Sequence, residues 1–238
     1  MKTGSARSTK TIPTETHSKS FQIVQTISDS DYPVYKVTNK DNTQFFALKV
    51  YPYRDGKINK YFANEVRFMS LKHSNIIRVF HSEVREKVIR DGKPRFFSHI
   101  VMEYAPYGDL MTFTMKHKIW NDQKLVRTYF HQLIDALEYL HSNDLYHMDV
   151  KLENLLIGEN FVLKLADFDT GYKKGDRTLL GSGTSGRRAP ERKDPDVEGM
   201  AACDIYSAGI CLFNMAVGHF PYSELQPGSK QEDLWAMM

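Results

Sequence analysis

The chain has 238 residues, enough for one large domain or two small lobes. Hydrophobic residues make up 41% and charged residues 26%, the balance of a globular soluble protein with a sizeable core. The net charge of +3 is too small to argue for nucleic acid, and no stretch reaches the ~20 apolar residues of a membrane span; Ser207 to Val217 comes nearest. Cys203 and Cys211 lie in an apolar segment without metal-like spacing. They are expected as buried thiols in a reducing cytoplasm.

Residues 1–20 are rich in Ser, Thr and Lys and lack an apolar run, so no secretory signal is expected there. Four basic residues and one acid also fit a transit peptide, but a disordered tail is the expectation. From Phe21 to about Tyr104 the pattern is strand-like. FQIVQTI, PVYKVT and FFALKVY are separated by turn formers such as Asn39-Lys40-Asp41-Asn42. YFANEVRFMSLKH breaks the pattern, because Phe62, Val66 and Met69 repeat at helical spacing. NIIRVFHSEVRE and RFFSHIVMEY flank Asp91-Gly92-Lys93-Pro94 and predict a hairpin.

Beyond Tyr104 the chain turns helical. Val126, Phe130, Leu133, Ile134, Leu137 and His141 follow a 3.6-residue period, with Asn121 or Asp122 as the cap. LLI returning as FVLKLA around Gly158-Glu159-Asn160 predicts a second hairpin. A Gly-, Ser-, Thr- and Arg-rich loop follows at 171–188, then an apolar helix around Ile205 to Val217. No internal repeat is visible.

YHMDVKLENLLIGENFVLKLADFD, at 146–169, concentrates the chemistry. Aspartate and asparagine oxygens are hard ligands that suit Mg²⁺, an ion that keeps waters and pairs with phosphates. Lys151, two residues after Asp149, falls on the same side of an extended loop. There a carboxylate can orient a hydroxyl while an ammonium neutralises a transferring phosphoryl group.

These residues resemble the eukaryotic protein kinase family, serine/threonine type. HMDVKLEN is similar to the catalytic loop H-R-D-x-x-x-x-N at His147, Asp149 and Asn154, and ADFD to the D-F-G segment at Asp167 and Phe168, with the family spacing of 18 between the two aspartates. Lys151 gives the serine/threonine form of the loop. FALK resembles V-A-I-K and implies that Lys49 holds the α- and β-phosphates, paired with Glu65 sixteen residues on. VMEYAPYGD resembles the linker between lobes. It implies Met102 as gatekeeper, Glu103 and Ala105 as backbone contacts to adenine, and Asp109 near the ribose. Val34, Ala47 and Leu156 complete the implied ATP site, and Asn154 and Asp167 the Mg²⁺ site. RAPE is similar to A-P-E at Ala189 to Glu191, and DIYSAG to the helix start D-x-W/Y-S-x-G at Asp204.

The resemblance implies an α+β, bilobal fold. An antiparallel β-sheet N-lobe with one main helix occupies 21–103, and a mostly helical, incomplete C-lobe occupies 104–238. It also implies a protein substrate. Small-molecule phosphotransferases of the aminoglycoside kinase type share H-x-D-x-x-x-x-N and a second acid near the metal aspartate, but lack the A-P-E segment and the lysine at 151.

Four departures stand out. SDSDYPVY, at 28–35, has Ser28 and Ser30 where the family has glycines, and its third glycine is Pro33 or is deleted. Glycine lets backbone amides approach phosphates; proline has no amide, and Asp29 and Asp31 add negative charge, so weaker ATP binding is expected. Met148 replaces the arginine that receives an activation-loop phosphate. Phosphorylation of Thr178 or Ser182 is therefore expected to be dispensable, and Thr184 resembles the threonine that braces the catalytic loop. Asp169 replaces the glycine after Phe168, as a backbone restraint, an extra metal carboxylate or an irrelevant charge.

Finally, the sequence stops at Met238, where the family continues with helices carrying the arginine partner of Glu191. An apolar surface covered by a partner or a self-dimer is one expectation, and an incomplete gene model is the other. Arg187-Arg188 and Arg192-Lys193 give local positive charge that a solvated face explains equally well. Two functions follow: an active or weakly active protein kinase, favoured because every charged catalytic residue is kept, or a pseudokinase scaffold that binds partners and transfers little phosphate.

Overall fold

The computed structural model describes residues 21–39, 44–90, 93–176, 189 and 199–221. Residues 1–20, where a disordered tail is expected, 40–43 and 91–92, where turns are expected, Thr178, Ser182, Thr184, Arg187, Arg188, Glu191, Arg192, Lys193 and the stretch from 222 lie outside the described residues.

Short β-branched and aromatic runs form five strands, β1 (Phe21–Ser28), β2 (Val34–Asn39), β3 (Phe45–Pro52), β4 (Val79–Arg90) and β5 (Lys93–Glu103). They pair antiparallel in the order β1-β2-β3-β5-β4. In β3 the period of two sends Ala47, Lys49 and Tyr51 to one face and Leu48 and Val50 to the other. Ala47 and Tyr51 join Phe62, Ile100 and Met102 in one core, whereas Leu48 and Val50 join Tyr35, Val37 and Val101 in another.

Helix α1 (Lys60–Val66) is the N-lobe helix, capped by Asn59, whose Oδ1 accepts from the amides of Tyr61 and Phe62 at 2.9 and 3.3 Å. It is shorter than the periodicity of 61–73 predicts. After Val66 the backbone tightens to i→i−3 bonds, as from Phe68 N–H to Glu65 O at 3.0 Å, and Phe68 turns inward to stack on Phe168.

Among the described residues, the α-helices of the C-lobe are α2 (Leu110–His117), α3 (Gln123–His141) and α4 (Met200–Val217). Of the two candidate caps of α3, Asp122 is the one used, accepting from Leu125 N–H at 3.0 Å. Leu133, Leu137 and Leu140 are fully buried, each worth about 1.5–3 kcal/mol over exposure. The two short ladders are β6 (Leu145–Tyr146) with β9 (Tyr172–Lys173), and β7 (Leu155–Ile157) with β8 (Leu163–Leu165), the predicted LLI/LKL hairpin. Ile77 N–H donates to Leu165 O at 2.9 Å and Leu165 N–H to Asn75 O at 2.8 Å, which fastens the two lobes together.

α4 starts five residues before the predicted Ile205. Its 18 residues are long and apolar enough to span a membrane by composition alone. It packs instead as a core helix: Ala208, Cys211 and Met215 lie in the main C-lobe core, and both free cysteines are buried.

Candidate active site

Lys49 lies on β3, Glu65 on α1, and Asp167 just past β8. The Lys49 Nζ is 2.9 Å from Glu65 Oε2 and 2.7 Å from Asp167 Oδ1, with Asp169 Oδ2 at 3.7 Å. One ammonium thus faces three carboxylates in a largely buried setting. Burial works against its charge, but Glu65 and Asp167 outweigh that and hold the Lys49 pKa well above the usual lysine range. Asp167 titrates below the ordinary range: burial opposes this, and Lys49 overcomes it. Asp169 goes the other way. Burial and the adjacent Asp167 push its pKa up to about 7 against the pull of Lys49.

Asp167 has a positive φ of 68°, a left-handed conformation that aspartate tolerates better than most residues. Its side chain remains 37% exposed to the cleft, unlike that of Lys49 at 8%.

The loop between β6 and β7 carries the other charged residues. Asp149 Oδ2 is 2.6 Å from Lys151 Nζ, and Asn154 Nδ2 donates to Asp149 O at 2.9 Å and to Asp149 Oδ2 at 3.3 Å. His147, fully buried, contacts Ala166 O through Nε2 at 2.9 Å, which ties this loop to the Asp167 segment. Asp204 of α4 secures the loop from below: its carboxylate accepts from the amides of His147 (2.9 Å) and Met148 (2.8 Å) and meets His141 Nε2 at 3.1 Å. Met148 is buried with Ala189, Met200 and Cys203, so the position that lacks arginine is an apolar contact.

The apolar residues expected around a nucleotide base also converge. Val34, Ala47, Met102 and Leu156 share one cluster with Ile77, Ile100 and Ala166. Glu103 N–H donates to Arg78 O at 2.8 Å, and its side chain pairs with Lys164 at 2.9 Å. Ala105 O accepts from Gly108 N–H at 3.4 Å. Asp109 caps α2, accepting from Thr112 N–H at 2.8 Å and Thr112 Oγ1 at 2.9 Å.

Two devices escaped sequence reasoning. Tyr51, fully buried, donates its hydroxyl to Glu65 Oε2, and burial next to that carboxylate raises its pKa, keeping the phenol protonated. Asn64, beside Glu65, donates to Gly171 O at 2.8 Å and Asp169 O at 3.1 Å, while its Oδ1 accepts from Arg67 Nη1 at 3.0 Å. Helix α1 is thereby fixed to the segment after Phe168. Tyr51 is an ordinary tyrosine in a strand pattern, and the helical spacing of 61–73 does not distinguish Asn64 from its neighbours.

The family profile described as "Protein kinase domain" matches residues 32–237. The chain belongs to the protein kinase family. It is 36% identical over 166 residues to CBL-interacting protein kinase 26 of Oryza sativa subsp. japonica, covering 67% of this chain and 31% of that protein. It is 32% identical over 219 residues to CBL-interacting protein kinase 9 of the same plant, covering 86% and 45%. With Serine/threonine-protein kinase PKH2 of Saccharomyces cerevisiae it shares 29% identity over 224 residues, covering 86% and 20%. The chain therefore spans less than half the length of these relatives, all named as protein kinases and PKH2 as a serine/threonine one. The α+β bilobal architecture expected from the sequence is that of the family, whose members in general use ATP and Mg²⁺ and act on proteins.

Proposed function

We propose that this chain is a serine/threonine kinase domain that transfers the γ-phosphate of Mg-ATP to a protein hydroxyl. One observation carries the reading: Lys49, Glu65 and Asp167 meet at a single ammonium, an arrangement a scaffold has no need to keep.

In this reading Val34, Ala47, Met102 and Leu156 enclose the adenine. Glu103 O and Ala105 N–H face its polar edge, and Asp109 reaches the ribose from its capping position. Lys49, oriented by Glu65, neutralises the α- and β-phosphates. Asp149 orients the acceptor hydroxyl and takes its proton. Lys151, already 2.6 Å from that carboxylate, stabilises the charge on the transferred group.

Asn154 and Asp167 are the residues that fit Mg²⁺. Asn154 commits its Nδ2 to Asp149, leaving Oδ1 as the donor atom, and Asp167 keeps a partly exposed carboxylate. No group of three or more His, Cys, Asp or Glu among the described residues forms a cage of its own, as suits an ion that keeps waters and shares phosphate oxygens. Bound there, Mg²⁺ supplies charge neutralisation across the phosphates. The two buried free thiols support a cytoplasmic setting.

The glycine-free loop, with Asp29 and Asp31 exposed, favours a second reading: a pseudokinase that binds partners and transfers little phosphate. The deciding experiment is transfer from Mg-ATP to the protein itself and to a basic hydroxyl-containing peptide, scored by intact mass beside Asp149→Asn. Transfer that disappears in Asp149→Asn supports the kinase. A folded chain that ATP protects from melting, yet that transfers nothing, supports the scaffold.

A further inference from the structure

Residues 29–33 replace the glycine-rich loop between β1 and β2, and the fold compensates for the missing glycines. Asp29, Ser30 and Asp31 are exposed, but Tyr32 turns inward. Its ring lies 4.9 Å from Tyr51 on β3 and 5.7 Å from Tyr61 on α1. Tyr51 in turn meets Phe62 of α1 edge-on at 5.5 Å and donates its hydroxyl to Glu65. The loop backbone is fixed as well: Val50 N–H donates to Pro33 O at 3.0 Å, and Ser30 Oγ to Tyr32 O at 3.0 Å.

A glycine loop approaches phosphates through backbone freedom, which serine and proline lack. A loop without that freedom binds well only if it is already held in the binding geometry. Three tyrosines and Phe62 supply such a hold, running without interruption from the loop through β3 to the helix that carries Glu65. Aromatic pairs at these separations attract one another beyond the effect of their buried area.

We propose that Tyr32 and Tyr51 form an aromatic brace that locks the nucleotide-facing loop to Glu65, making both of them positioning residues for the Lys49–Glu65 pair. The brace rests on the nucleotide site proposed above, and it is expected to move loop and helix as one unit.

The test combines Mg-ADP affinity by calorimetry with hydrogen exchange of the α1 amides, in the full chain and in Tyr32→Leu, Tyr32→Phe and Tyr51→Phe. Tyr32→Leu is expected to weaken Mg-ADP about three- to tenfold and to speed exchange in α1, with Tyr32→Phe restoring both. Tyr51→Phe keeps the ring but leaves Glu65 to Lys49 alone, and is expected to speed α1 exchange and to lower kcat more than it raises KM. In Tyr32→Leu/Tyr51→Phe the effects should combine to less than their product. If Tyr32→Leu only lowers the melting temperature, leaving affinity and α1 exchange unchanged, Tyr32 is core filling and the proposal fails. Should Tyr32→Leu not fold, an unchanged α1 in Tyr51→Phe overturns the proposal just as well. If the wild-type chain binds no Mg-ADP, the nucleotide reading fails, and α1 exchange alone decides the brace.

Discussion

Arg67, the residue capping the C-terminal end of α1, holds Asp176 through one guanidinium nitrogen, 2.8 Å from Oδ1 and 2.9 Å from Oδ2, while Asp176 Oδ2 also accepts from Lys173 N–H at 3.0 Å. An aspartate near β9 thus provides, without modification, the anionic contact to α1 that a phosphate could otherwise make.

The first prediction follows from this pair. Phosphorylating Thr178 or Ser182 should change kcat by less than about threefold, and a rise of tenfold or more would refute it. Arg67→Ala and Asp176→Asn should each lower kcat about two- to fivefold with little change in melting temperature, because a pair this exposed is worth at most about 1 kcal/mol. Steady-state kinetics before and after phosphatase treatment, with both variants, check these points.

Asp169 should leave a pH signature in the nucleotide-free chain. Its folded pKa of about 7 lies above the ordinary aspartate value of about 3.9. Between those values the folded state holds a proton that the unfolded chain has released. Its contribution to stability is therefore fully present below about 3.9 and is lost as pH rises through about 7. Asp169→Asn removes this slope and raises the melting temperature at pH 8. Thermal scans in EDTA between pH 5 and 8.5 read both, and a wild-type slope that persists in the variant contradicts the assignment.

Asp204 is 1% exposed and receives two loop amides besides His141. Asp204→Ala leaves those donors unpaired and should cost about 2–4 kcal/mol in urea unfolding. Asp204→Asn keeps the volume but presents an amide nitrogen to an N–H. It should lower kcat at least tenfold while KM for nucleotide moves little, since the proposed nucleotide site is built from other residues.

Gly171 passes directly beneath Phe68: a β-carbon there would sit 2.6 Å from Phe68 Cζ. Gly171→Ala should displace the ring from its 5.4 Å stack on Phe168 and destabilise the chain by about 1–3 kcal/mol, measured in denaturant. Adding Phe68→Leu should recover part of the loss, because a smaller side chain yields the space.

The catalytic-loop and Asp167 motifs were legible because their residues lie within 24 positions of one another and carry types that rarely occur together. The pair of Lys49 and Glu65 was legible only through the motif around the lysine. Tyr51 and Asn64 were not: their bonds to Glu65 and Gly171 join residues 14 and 107 positions apart, and nothing local marks an ordinary tyrosine in a strand or an asparagine in a helix. The early end of α1 was hidden for a related reason. Met69 satisfies the helical period, but the ring of Phe68 beside it is claimed by Phe168, and that tertiary contact outweighs the local pattern.

The reliance of His147 and Met148 on Asp204 also bears on how the chain is made. During synthesis the residues of the catalytic loop emerge 57 positions ahead of the carboxylate that anchors His147, a delay of roughly 3 to 11 s at ordinary elongation rates of about 5–20 residues per second. Through that interval the two amides have no anchor on α4, and the hairpin of β7 and β8 forms beside an unfinished loop. The loop thus gains this anchor only when α4 docks. Translation stalled before Asp204 would yield a product with the whole 146–169 motif in its sequence and its His147 and Met148 amides unanchored.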